Sequence, residues 1–371
     1  MFSLNKETKE KFQKQVSKID ANDESKVKNN IEKEIAILEK KVKNKPSHNI
    51  QSLIDNTKLL YEILENKPFP ISESTRKWII FGLGYLVSDI DLIPDSIPNI
   101  GYLDDAMIVS WVLSMIDEDI TRYEFFKKAQ KLSTKGNVIK ELVQGNGEQL
   151  FILLPGFIED VLDKKEEALW LKTMRKINSG FSSPGFSIIN WNISYLREIN
   201  QLVPIIDHKL TLKPVFDFEK TQINWQQLKI DMMNIGKALK LDLENIRKSS
   251  PNKEIIIIAL NISSFIITSA LNELDNNIIN KIYLLGSAST EDDIQHSIPN
   301  KVTHMYNFYS KNDHAIKFIC DNLEENNIAV GLKFLQANRK VMITNIDASK
   351  EILRHHDYKF KLSQLINNIN S

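Results

Sequence analysis

The chain has little with which to build an exported, cross-linked or membrane-spanning protein. Only one of its 371 residues, Cys320, is a cysteine, so no internal disulfide can form and a reducing compartment, the cytosol, is expected. No stretch approaches the ~20 consecutive apolar residues of a spanning helix. The two best candidates, Trp78 to Val87 and Ala106 to Ile116, are each about half that length. The opening run MFSLNKETKEKFQKQ carries charges where a secretory signal would be apolar, so export by that route is not expected. Net charge is absent as well, because 48 basic side chains offset 48 acidic ones. No global field draws the molecule to nucleic acid, and no nucleic-acid partner is expected. There is no internal repeat or low-complexity tract, and a hydrophobic share of 42% is that of a globular chain with a buried core.

What is present divides the chain. Residues 1 to 45 are rich in Lys, Glu, Asn and Gln, with Val27, Ile31, Ile35, Leu38 and Val42 three or four apart. That spacing predicts one amphipathic helix, its stripe docked on its own protein or paired with a partner helix. Lys45-Pro46-Ser47 ends it, since proline cannot continue a helix and restricts the residue before it. A second helix, Ile50 to Glu65, runs to the break at Pro68-Phe69-Pro70. Ser72-Glu73-Ser74-Thr75 reads as a capped helix start, followed by the two apolar segments joined by a polar, proline-bearing connector: a helical hairpin. From Gly145-Asn146-Gly147 onward, short aliphatic runs alternate with amphipathic helices. The runs are Gln149 to Leu154, Ser187 to Trp191, Glu254 to Leu260, Lys281 to Leu285, His304 to Tyr309 and Lys340 to Asn345. The pattern predicts an α/β fold, a mostly parallel sheet flanked by helices and preceded by an all-α N-terminal region. The expected divisions are residues 1–70, 71–145 and 146–371.

The segment Tyr85 to Val109, YLVSDIDLIPDSIPNIGYLDDAMIV, resembles the YkvA-type domain of unknown function over about residues 72 to 118. The resemblance implies a module and lends no activity. Asp91, Asp95, Asp104 and Asp105 stand at the mouth of the hairpin. Such carboxylates either cap helix N-termini and bond backbone N–H groups, or converge as oxygen ligands on a hard divalent cation. Ligand spacing of the EF-hand kind is absent, and no metal or other cofactor is assigned. The apolar helices themselves suit burial against the rest of the chain or shallow insertion at a membrane surface.

In Ile255-Ile256-Ile257-Ile258-Ala259-Leu260-Asn261-Ile262-Ser263-Ser264-Phe265-Ile266 an aliphatic strand meets a helix, with small residues two positions before and two after Asn261. A nucleophile elbow is built this way, because its crowding demands small neighbours. A carboxamide has no ionisable hydroxyl or thiol, so Asn261 cannot form an acyl-enzyme with a histidine base. Moving the register to Ser263 would put the large Phe265 at a tight flanking position. Asp313 then follows one apolar strand, and His355 and His356 follow the last, in the order nucleophile, acid, histidine. Gly156 and Phe157, in Leu153-Leu154-Pro155-Gly156-Phe157, read as a loop that lends an oxyanion-hole N–H. These segments, with YLLGSAS at Tyr283 and NFYSKND at Asn307, resemble the α/β-hydrolase-like family of transmembrane and coiled-coil domain proteins over about Gln149 to Ile369.

That family's elbow reads Gly-His-Ser-Leu-Gly, where this chain has Ala259, Leu260, Asn261, Ile262 and Ser263. The resemblance implies the α/β-hydrolase fold, with His355 the better match to the family histidine, and the missing serine removes its inference to lipase or esterase activity. The expectation is a non-catalytic protein, cytoplasmic or peripheral at the inner face of the membrane, whose degenerate pocket binds or scaffolds a protein partner. Two alternatives stand beside it. One is an active hydrolase using Ser263 or a water activated by His355; the other is membrane attachment through residues 78–116.

Overall fold

A computed structural model describes residues 6–44, 48–88, 102–156, 163–177, 183–191, 218–275, 278–298, 302–324, 327–336 and 341–370. The chain forms two compact units, Met1–Glu124 and Phe125–Ser371. The expected divisions after residues 70 and 145 lie elsewhere than this single one, for two reasons. Helices on both sides of residue 70 pack together, and a strand that precedes Gly145 belongs to the sheet of the second unit.

The first unit is helical: α1 (Lys6–Val16), α2 (Ala21–Asn44), α3 (His48–Glu65), α4 (Glu73–Leu86) and α5 (Leu103–Met115), with α6 (Asp117–Ser133) straddling the division. The single helix expected up to residue 45 is two helices. The carboxylate of Asp20 accepts from the backbone N–H of Asn22 (2.8 Å) and Asp23 (3.2 Å), while that of Asp23 accepts from the Asp20 N–H (3.2 Å). This reciprocal cap starts α2 afresh and satisfies donors that would otherwise be orphaned. The bonds from those amides hold the Asp20 carboxyl below its ordinary pKa. Val27, Ile31, Ile35 and Leu38 of α2 are buried, so the stripe docks within its own chain.

Ser72 caps α4, its hydroxyl accepting from the Thr75 N–H at 2.9 Å. Helices α4 and α5 pack on each other around Ile79, Leu83, Ile108 and Val112. Gly82 makes that approach possible, since a Cβ there would come within 3.0 Å of Val112 Cγ2. The residues between the two helices, 89–101, lie outside those described. Among the described residues no helix is long and apolar enough to cross a membrane.

The second unit is an α/β fold on a seven-stranded sheet. Its strands are β1 (Ile139–Val143), β2 (Gln149–Leu154), β3 (Gly185–Ile189), β4 (Glu254–Leu260), β5 (Ile279–Leu285), β6 (Val302–Tyr309) and β7 (Met342–Asp347). Their spatial order is β1-β3-β2-β4-β5-β6-β7. Every neighbouring pair is parallel except β1 with β3. The antiparallel edge strand β1 was not expected from sequence. It is short, exposes Lys140 and Glu141, and lacks the aliphatic run that marks the inner strands. Strands β3 and β7 lie about two residues from their expected positions, while β4 falls where it was read.

The sheet is covered on both faces, which is why β4 can be aliphatic at every inner position. Ile255, Ile257 and Ala259 share one core with Trp225, Leu228, Ile235 and Leu239 of α8 (Phe218–Ser249), with α9 (Ser264–Glu273) and with Ile294 of α10 (Glu291–Ser297). Ile256, Ile258 and Leu260 share another with Trp170 and Met174 of α7 (Lys164–Met174) and with Tyr358, Leu362 and Ile366 of the last helix, Asp357–Asn370.

Candidate functional site

The site forms where β4 ends. Leu260 is still extended (φ −101°, ψ 132°), but Asn261 turns to φ 52° and opens a short 3-10 turn, Asn261–Ser263, that runs into α9. This left-handed backbone is costly for most residues, and asparagine is among the few that tolerate it. The turn is held from behind. The Asn261 carbonyl accepts from the Ala288 N–H (3.1 Å) and the Ser264 hydroxyl (2.7 Å), and the Ser264 hydroxyl is bonded to that of Ser289 at 2.8 Å. Ser263 is fully buried, its hydroxyl 2.7 Å from the carbonyls of both Leu154 and Leu260.

The Asn261 side chain points at the ends of three other strands. The carbonyls of Gly286 and Leu285, at the end of β5, lie 3.2 and 3.3 Å from one end of its amide, which fixes the NH2 group there. The amide oxygen then accepts from His355 Nε2 at 3.1 Å. On the opposite side of the imidazole, Nδ1 lies 2.9 and 2.8 Å from the two carboxylate oxygens of Asp313. Both ring nitrogens thus face oxygen atoms, Nε2 that of the amide and Nδ1 those of the carboxyl group. Asn261 is 2% exposed, and Asp313 and His355 are fully buried. In such a place a polar cluster persists only with its hydrogen bonds satisfied.

Asp313 has two tasks at once. It follows β6 and caps α11, the helix His314–Leu323, accepting from the Ile316 N–H at 3.0 Å while it holds His355. His355 sits in the loop after β7, and that loop is stitched to the one carrying Asp313. The Ser310 hydroxyl donates to the Ile352 carbonyl (2.8 Å), Asn312 Nδ2 to the Ser349 carbonyl (2.8 Å), and the Lys311 N–H to the Ser349 hydroxyl (3.1 Å). Gly286, at φ 56°, presents its carbonyl to Asn261, and the ring of Tyr358 fills the space that a side chain there would take. Burial pushes the Tyr358 phenol well above its ordinary range, so it stays neutral.

Gly156, after β2, completes the wall. A Cβ added there would lie 3.0 Å from the Asn261 Cβ and 2.6 Å from the end of its amide, so the loop passes closer to Asn261 than any other residue would allow. Phe157 lies outside the described residues. His356 is half-buried, and it is His355 that meets Asp313. Cys320, in α11, is buried, and that burial pushes its thiol pKa up, the opposite of what a nucleophilic thiolate needs.

Asp91, Asp95, Asp104 and Asp105 belong to the first unit. Asp104 and Asp105 are buried in the first turn of α5, where the helix dipole favours negative charge, and Tyr85 donates to Asp104 at 2.9 Å. Asp91 and Asp95 lie outside the described residues. Among the described residues no three His, Cys, Asp or Glu side chains are grouped so as to hold a metal ion.

Sequence reasoning named Asn261, Asp313, His355 and Gly156, which the fold brings together. It assigned nothing to Gly286, Ala288, Ser264 and Ser289, which hold the turn. A signal for three of these existed, since YLLGSAS stood out as a motif, but its backbone task is invisible until β5 lies beside β4.

Two family models match the chain. Over residues 75–111 it is similar to the family described as Protein of unknown function (DUF1232). Over residues 225–371 it is similar to the family described as Protein of unknown function (DUF726). The first match runs from α4 to Trp111 in α5, within the span that resembles the YkvA-type module. The second begins in α8 and takes in Asn261, Asp313 and His355 but not Gly156. A comparison of the chain with curated proteins found no match.

Proposed function

We propose that Phe125–Ser371 is an α/β-hydrolase-like domain that has lost its nucleophile and serves as a binding or scaffolding module. The observation that carries this reading is the Asn261 carboxamide at φ 52°, 3.1 Å from the Nε2 of a histidine whose Nδ1 faces Asp313. A serine triad needs that same order of groups, with a hydroxyl where the amide oxygen stands. The amide oxygen gives the histidine no proton to take, and the Nε2 that donates to it has no free lone pair to act as a base. The bonds that Ser263 makes to Leu154 and Leu260 favour a structural role for it over attack on a substrate. In this reading the protein acts in the cytoplasm or at the inner face of the membrane, with a protein partner.

Assay of the purified chain against short- and long-chain p-nitrophenyl esters tests the proposal. The expected result is no turnover above background in the wild type and measurable turnover in Asn261→Ser, lost again when His355→Ala is added. Turnover by the wild type that disappears in His355→Ala alone would overturn it.

A further inference from the structure

The first unit carries a groove of its own. It runs between α1, α2 and α4, encloses about 530 Å³, and is amphipathic. Its floor is hydrocarbon and aromatic, with Phe12, Val27, Ile80 and Phe81 among the residues that line it. Its rim carries Lys11, Lys18 and Lys26, all exposed. Among the described residues none of these three lysines forms an ion pair, in contrast to Lys28, two positions after Lys26 in α2, which bridges Glu24 and Glu65 at 2.9 Å each. The single carboxylate in the lining, Asp23, is engaged in capping α2. Gly84 widens the groove, because a Cβ there would meet only Val27, at 3.7 Å.

The volume lies within the range of small-molecule sites, and the distribution of polarity selects among ligands. A small inorganic anion would make no use of the hydrocarbon and aromatic floor, and a neutral hydrocarbon would make no use of the three ammonium groups at the rim. Lysines spread their stems along apolar surface and keep their charge at its edge, which suits a ligand with a hydrocarbon tail and an anionic end. We propose that this groove binds a single-chain anionic amphiphile, its tail against Phe12 and Phe81 and its carboxylate or phosphate head among Lys11, Lys18 and Lys26.

Isothermal titration calorimetry of the full chain with laurate, dodecyl phosphate, uncharged monolaurin and inorganic phosphate, all below micelle formation, tests this. Saturable one-to-one binding is expected for laurate or dodecyl phosphate, and the tighter of the two identifies the head group. Lys11→Glu, Lys18→Glu and Lys26→Glu combined should weaken it about tenfold or more, with a folded circular dichroism spectrum because all three are exposed. Gly84→Leu should abolish it by filling the groove while the helices stay formed. The proposal is overturned if neither anionic amphiphile saturates, if the triple variant binds unchanged, or if monolaurin or inorganic phosphate binds equally well. Binding to anionic phospholipid vesicles without binding to the single-chain probes would likewise overturn it, in favour of a membrane surface.

Discussion

The two units place polar groups in opposite ways. In the helical unit the polar contacts are largely local and partly wet: Ser72 bonds the amide three residues on, and Asp20 and Asp23 cap one another. In the sheet unit the decisive contacts are distant and dry. Asn261, Asp313 and His355 come from turns after β4, β6 and β7, and the aspartate and histidine that bond each other stand 42 positions apart. A local cap can be lost one bond at a time, whereas a buried constellation leaves an unpaired charge when one member goes.

The largest effect should follow from removing the histidine. His355→Ala strands the Asp313 carboxylate in the interior and should destabilise the second unit by about 3–5 kcal/mol. Loss of hydrogen-exchange protection along β4 and β6 would report it. A loss below about 1 kcal/mol would break the contrast between the units, since it would make the buried pair no costlier to lose than a surface contact. Gly156→Ala comes next. Its Cβ collides with Asn261, and overpacking of this kind costs about 1–3 kcal/mol, measurable by urea unfolding. Ser72→Ala, which deletes a half-buried cap, should cost about 1 kcal/mol, read by the same method.

The smallest effect concerns pH. His304, beside Tyr306 and bonded to Thr344 at 2.8 Å, has its pKa lowered by burial and then by Lys281. A histidine depressed in the folded state contributes stability that is present above its unfolded value. That contribution is lost as pH falls through that value toward the folded one. His304→Gln should therefore flatten part of the fall in stability below about pH 6.5, and identical pH profiles for the two proteins would remove this assignment.

Much of the fold was legible because its strands carry their own signature. Glu254 to Leu260 is aliphatic throughout, as a strand covered on both faces must be, and was bounded correctly. Strand β1 was not legible, since an edge strand with exposed Lys140 and Glu141 resembles the end of the preceding helix until β3 lies beside it. The break between α1 and α2 was hidden for another reason. The apolar stripe begins only at Val27, beyond the break, and only the mutual capping of Asp20 and Asp23 marks the stop. In the site, Asp313 and His355 were legible from their order after the turn. The amide orientation of Asn261, which decides what His355 can do, was not, because it depends on two carbonyls contributed by β5.

By itself the sequence determined the aliphatic strands, the capped helices, and an asparagine flanked by Ala259 and Ser263 at the end of a strand, since each depends on residues close together in the chain. Tertiary structure decided the rest. Parallel pairing of β4 with β5 and of β6 with β7 put two carbonyls, an amide, an imidazole and a carboxylate within hydrogen-bond reach. Side chains that far apart in the chain acquire a shared chemistry only when the sheet excludes water from between them.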